Sequence, residues 1–385
     1  MKARFNKPMP LNSERLRLLR QFQELTQTEL AEKVAVSQPT IADYEAGRKE
    51  PQSEVAQALA ITLKVDHRFL FQSDDDHFTE SEYNFRKRVQ TSERLKKKVA
   101  AQAALFGIIV RELKKHVPTM PKLNIPSLPA ATDDEIEESA EKARIHWGLE
   151  VDGPINSMVD VLESAGVLLT VADAETAERV DAFSRYGPTS VVVLNTAKGS
   201  SSRTFFDTAH EAAHGVLHHG QPAKALDVRE AEAQRFAGSF LMPKRPFTRD
   251  YWSRGGVDFT NLLEMKASWG TSLSAILVRA FQLGLIDAVV YRSAFRELAG
   301  RGWRVAEPEE PAPEFPKLFM LALDQYEKNT KRTVKAFIED TLLTPQLFTA
   351  VSGYVPAPAK NSGVVSLAEH REGVKSKALL LDRQN

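Results

Sequence analysis

The sequence predicts a multidomain protein, with an all-α N-terminal domain followed by a mainly α (α+β) domain that carries a small three-stranded sheet. Three observations lead there. Over residues 12–71, short amphipathic stretches alternate with helix-stop and helix-start signals. Three apolar runs of strand length, at 167–171, 181–186 and 190–195, follow one another in mid-chain. Directly after them stands His210-Glu211-Ala212-Ala213-His214, which puts two imidazoles one helical turn apart.

The N-terminal elements are legible one by one. Leu16, Leu18, Leu19 and Phe22 mark a first amphipathic helix, and Leu30, Ala31 and Val34 give the buried side of a second over 27–34. Ala35-Val36 makes a turn, and Ser37 is placed to cap a third helix reaching about residue 46. Gly47 ends it, and Pro51 with Ser53 opens a fourth helix through residue 63.

The run from Leu25 to Pro51 resembles the phage-repressor (Xre/Cro-like) helix-turn-helix family. It has small Ala31, apolar Val36 in the turn, Ile41 on the buried side, and Glu45-Ala46-Gly47-Arg48 as the stop. The resemblance covers about 60 residues and implies double-stranded DNA as partner and a homodimer as binding unit. Physically, Ser37, Gln38, Thr40 and Asp43 lie near the leading end and outer face of the third helix. Gln38 carries both a donor and an acceptor, as an adenine edge requires. Gln27 opens the second helix, where its side chain and the helix N-terminus can hold phosphate, and Arg48 and Lys49 add cations for the backbone. Pro39 stands where the family often carries a polar residue.

Residues 72–130 read as a basic helical connector and a Pro-rich linker. Asp74-Asp75-Asp76 marks a surface break, and 80–116 reads as a basic helical region. Its clusters Arg86-Lys87-Arg88 and Lys96-Lys97-Lys98 suit a solvated helix face better than a nucleic-acid contact. Four prolines over 118–129 predict a linker or extended wrap. Residues 1–117 hold 21 Lys+Arg against 16 Asp+Glu, and the remainder carries the compensating acidic excess, because the chain's net charge is +0. A basic N-terminal portion is compatible with a polyanionic partner.

The second domain is expected over 131–310. Helices at 135–148 and 155–165 precede the strands. The helix of the histidine pair runs over 205–218, an acidic helix over 229–240 stops before Pro243, and two more lie within 262–283 with Ser272 as a cap. Residues 311–356 read as a helical segment with no assigned role, and 357–385 as a polar, flexible tail.

Histidines at i and i+4 reach a single cation from one helix face, and Glu211 lies beside them, placed to take a proton from water. The chain has no cysteine, so the remaining ligand must be His or carboxylate. A third histidine ten residues after His210 is ruled out, because that position is Gly220. The next helix offers two carboxylates for that place, Glu230 and Glu232.

This region resembles the ImmA/IrrE-type metallopeptidases. The residues that carry the resemblance are the His-Glu-x-x-His run, then Glu230, Ala233, Phe236, Ala237 and Leu241-Met242-Pro243, with Gln234 where the family has Asn or Asp. Asn195 and Arg203 upstream, and Lys266-Ala267-Ser268-Trp269-Gly270 and Gly302-Trp303-Arg304 downstream, extend it over about 130–310. It implies a gluzincin-like metallopeptidase domain holding Zn2+ on His210, His214 and Glu230, with Glu211 as catalytic base. A strand near 190–195 is expected to pair with extended substrate, and His218 is a candidate to stabilise an oxyanion.

A hydrophobic fraction of 42% with 26% charged residues suits a globular chain. No apolar run approaches the ~20 residues of a membrane span, and no secretory signal opens the sequence, so the expectation is a cytoplasmic protein without a membrane partner. The expected function is a DNA-binding transcriptional regulator whose zinc endopeptidase cleaves a specific repressor or neighbouring-gene product. The alternative is a non-proteolytic transcription factor, an antitoxin-like autoregulator whose zinc domain senses or dimerises.

Overall fold

The computed structural model describes residues 9–73, 83–85, 92–172, 182–196, 199–222 and 224–355. Asp74-Asp75-Asp76, the Arg86-Lys87-Arg88 cluster and the tail over 357–385 lie outside them.

Helices α1 (Ser13–Phe22), α2 (Gln27–Lys33), α3 (Gln38–Glu45) and α4 (Ser53–Leu63) form the N-terminal unit, followed by a 3-10 turn at His67–Phe71. Side chains cap both helices of the turn. Thr26 and Glu29 make a reciprocal capping box on α2, and Ser37 caps α3 through the Thr40 amide. Ala35 takes a left-handed backbone (φ 55°) in the turn between α2 and α3. Leu16, Leu19, Leu30, Ile41, Leu59 and Leu63 fill the core of the unit.

The connector differs from expectation. It is not helical throughout: it first gives strand β1 (Tyr83–Phe85) and then helix α5 (Glu93–His116). Nor is α5 a solvated basic rod, since Val99, Ala103, Phe106, Ile109, Val110 and Leu113 are completely buried. Even Lys98 is buried, with its ammonium 3.2 Å from Glu24 Oε2. Every fourth or third position of α5 is apolar or alanine, and that face packs on α1 on one side and on the sheet on another. The Pro-rich stretch is an extended wrap, with Asn124 N–H bonded to Ala165 C=O and Leu128 N–H to Val216 C=O.

After α6 (Asp133–His146) and α7 (Met158–Ser164) come β2 (Leu168–Val171), β3 (Ala182–Arg185) and β4 (Val191–Leu194). The expected three-stranded sheet has a fourth member, β1, in the order β1-β3-β4-β2. β4 pairs parallel with β2 and antiparallel with β3, so it is central. The expectation that this strand receives a substrate is therefore corrected: both of its edges are already hydrogen-bonded. Its continuous apolar run is buried on both faces. Val192 and Leu194 face α8 (Ser201–Ala213), and alternation turns Val191 and Val193 to the other side, where α5 lies.

A π-helical turn (His214–His218) continues α8, and α9 (Leu226–Leu241) packs on α8 and α6. Then follow α10 (Lys244–Ser253), α11 (Phe259–Trp269), α12 (Leu273–Gln282, capped by Ser272) and α13 (Ala288–Gly300). The segment over 311–356 contains α14 (Leu318–Thr330), α15 (Val334–Asp340) and α16 (Pro345–Ser352). It docks on α5 and reaches the N-terminal unit. Val65 and Leu343 form an antiparallel bridge, flanked by Asp66 N–H to Leu342 C=O (2.8 Å) and Thr344 N–H to Lys64 C=O (3.2 Å). No helix among the described residues is long and apolar enough to cross a membrane.

Candidate functional site

Packing of α8 against α9 brings three of the expected side chains together. His210 Nε2 lies 3.4 Å from Glu230 Oε2, and His214 Nε2 lies 3.4 Å from Glu230 Oε1. One ligand atom from each falls within 4.8 Å of the others, and among the described residues no other group of three His, Asp or Glu does so. Both imidazoles are buried, while the Glu230 side chain keeps 20% exposure and forms the outer rim. The donor set, two imidazole nitrogens and one carboxylate oxygen, is that of a zinc site with an open position. His214 Nε2 and Glu230 Oε1 are buried without a hydrogen bond to satisfy either, as atoms reserved for an ion would be. The residues fit the metal.

The electrostatics agree. Burial drives the His214 imidazole down to about 4, so it is neutral, as a ligand must be.

Glu211 is fully buried on the same helix. Its backbone carbonyl accepts the Tyr186 hydroxyl at 2.8 Å. Glu232 does not join the triad. Its Oε2 lies 3.0 Å from His218 Nε2, and its Oε1 accepts from Lys224 Nζ at 2.7 Å. The other nitrogen of His218, Nδ1, is 3.0 Å from His214 Nδ1. With both nitrogens engaged, His218 has none to offer an oxyanion.

One residue that sequence reasoning missed anchors α8. Glu310 Oε2 accepts the Ser202 amide (2.9 Å) and Oε1 the Ser202 hydroxyl (3.0 Å), capping the N-terminus of α8 from a distant loop. The buried Lys266 ammonium holds Glu310 Oε1 at 2.8 Å and Glu307 Oε2 at 3.0 Å. Arg203 donates to the Arg304 carbonyl at 2.5 Å, which joins the two flanking segments singled out in the sequence. A loop carboxylate a hundred residues from its partner leaves no periodic signal.

At the other site, Ser37 and Gln38 are exposed at the start of α3, with Arg48 and Lys49 exposed beyond its end. Gln38 Nε2 donates to Gln27 Oε1 (2.8 Å), and Gln27 Nε2 donates to Glu45 Oε2 (2.9 Å), so the two glutamines are held as a pair. The Ser37 and Thr40 hydroxyls lie 2.9 Å apart. Asp43 is bound to Arg48, with Nε at 2.9 Å from Oδ1.

Two stretches match known families. Residues 16–70 match the helix-turn-helix family, and residues 162–281 match the IrrE N-terminal-like domain. The chain thus joins a DNA-binding type of domain to an IrrE-like, peptidase-type domain that contains the His210, His214 and Glu230 cluster. No curated protein matches the chain.

Proposed function

We propose that this protein is a DNA-binding transcriptional regulator with a zinc-dependent endopeptidase that cleaves a specific repressor or partner protein. The observation that carries the reading is the convergence of His210, His214 and Glu230 beside a buried Glu211. Zinc, when bound, supplies a Lewis acid that polarises the scissile carbonyl and lowers the pKa of water toward about 7. Glu211 takes the proton of the attacking water as the C–O bond forms, and delivers it to the amine nitrogen as the C–N bond breaks. A cavity of about 460 Å³ lies one turn along the two ligand helices, lined by Arg203, Phe206, Asp207, Gln234, Phe295 and Arg304. Its mixed apolar and charged wall suits side chains of a protein substrate.

On the DNA side, the reading has Gln38, Ser37, Thr40 and Asp43 facing base edges of double-stranded DNA. Gln27, Arg48 and Lys49 hold phosphate, and the protein binds as a homodimer on two half-sites. The test is co-expression with the product of the adjacent gene, in wild-type and Glu211→Gln backgrounds. Loss of the intact neighbour in the wild type alone supports the endopeptidase; its persistence in both backgrounds refutes it.

A second reading, a non-proteolytic autoregulator whose zinc domain senses or dimerises, draws support from the complete burial of Glu211 and from the bridge at Val65 and Leu343. It requires promoter control that is indifferent to Glu211→Gln.

A further inference from the structure

Behind the ligand His214 runs an uninterrupted chain of polar contacts. His214 Nδ1 meets His218 Nδ1 at 3.0 Å, His218 Nε2 meets Glu232 Oε2 at 3.0 Å, and Lys224 Nζ meets Glu232 Oε1 at 2.7 Å. Lys224 also donates to the Ala130 carbonyl at 2.9 Å, which ties the chain to the Pro-rich wrap. His218, Glu232 and His214 are all buried.

We propose that His218 and Glu232 are positioning residues, which hold the His214 ring in place and receive its second nitrogen when the first binds the ion; this rests on the zinc reading above. His214 Nε2 is the atom that faces Glu230, so a neutral His214 bound through it carries its one ring proton on Nδ1 and donates it to His218 Nδ1. His218 is held in turn, because its Nε2 meets Glu232 Oε2 while Glu232 Oε1 accepts from Lys224. Turning the His214 ring would break the Nδ1 contact at 3.0 Å. Orientation of a ligand through its second nitrogen is worth roughly 10–100-fold in metal affinity.

Local backbone makes the contact. His214 and His218 are the first and last residues of the π-helical turn, which is closed by His219 N–H to His214 C=O (3.1 Å). The wider turn sets the two rings 5.2 Å apart, centre to centre. π-turns inside α-helices occur frequently at functional sites.

The experiment is a Zn2+ titration of full-length protein against a competing chromophoric chelator, for the wild type, His218→Phe, His218→Gln and Glu232→Gln, with melting of each metal-free protein alongside. Expected is a 10–100-fold weaker Zn2+ affinity for His218→Phe, a lesser loss for Glu232→Gln, and partial recovery in His218→Gln, which keeps both a donor and an acceptor. Glu232→Gln preserves shape and an accepting oxygen, so it remains informative if His218→Phe fails to fold. Wild-type affinity in both His218→Phe and Glu232→Gln overturns the proposal. A wild type that takes up no Zn2+ overturns instead the metal reading on which it rests.

Discussion

The Tyr186 ring packs against Gly215, so close that a Cβ on that glycine would stand 2.5 Å from the ring. Gly215 lies in the π-turn, one residue beyond His214, and the Tyr186 hydroxyl reaches back to the Glu211 carbonyl. One strand-end tyrosine thus braces the backbone that carries the proposed base and a proposed ligand. Gly215→Ala should destabilise the fold by about 1–3 kcal/mol through overpacking. Tyr186→Phe, which removes only the hydrogen bond, should cost about 1 kcal/mol. Denaturant unfolding measures both, and a silent Gly215→Ala contradicts the packing described.

Metal should stabilise the folded state, because the three ligands converge only there. Saturating Zn2+ at 100 times its dissociation constant adds about 2.7 kcal/mol. The expected result is a rise in melting temperature in the wild type and in Glu211→Gln. The rise should be absent in His210→Ala, His214→Ala and Glu230→Ala. Metal analysis after dialysis reads the same distinction directly, and an unchanged response in Glu230→Ala would remove it from the ligand set.

At the helix-turn-helix, Gln38 and Gln27 are coupled by a hydrogen bond, so their effects on DNA binding should not add. Gln38→Ala is expected to relax sequence preference at one base pair by about 1–3 kcal/mol. Gln27→Ala should weaken binding more evenly across sequences. Selection of operators from random DNA, followed by a double-mutant cycle, checks both outcomes.

Acid should loosen the scaffold behind α8 and α9. Glu137 on α6 accepts from Arg279 on α12 through both oxygens, with Nη2 at 2.8 Å from Oε2, and also takes the Ser239 hydroxyl of α9 at 2.8 Å. Burial pushes the Glu137 carboxyl up, but the Arg279 hydrogen bonds and charge outweigh it and hold the group below its ordinary 4.5. A depressed folded-state pKa contributes stability that is full above the unfolded value and disappears as pH falls through the folded one. The wild type should therefore exceed Glu137→Gln in stability at pH 7, with the gap closing below about pH 4.5. Arg279→Leu, which strands the carboxylate, should cost about 3 kcal/mol at neutral pH. Melts across pH 3–7 measure each.

The helical unit over 12–71 was readable because its information is local: Ser37 and Gly47 mark helix ends with their own chemistry. The histidine pair was readable because the i, i+4 spacing of His210 and His214 survives folding unchanged. What escaped was non-local. Tyr83–Phe85 is three residues long and becomes a strand only because β3 offers an edge. Lys98 looked solvated from its neighbours Lys96 and Lys97, yet its helix face is set by the alanines and valine that follow. Glu232 and Glu230 differ by two positions on one helix. Only the packing of α9 on α8 turns the first toward His218 and the second toward the ligand pair.

The backbone pairing of Val65 with Leu343 joins points nearly 280 residues apart in the chain. It acts as a clasp between the helix-turn-helix head and the last helices of the body. A single cut in the intervening polypeptide would leave both pieces held to each other rather than setting the head free. If the proposed endopeptidase governs its own operator, severing itself once would be a poor way to let go; a different polypeptide is the more effective target.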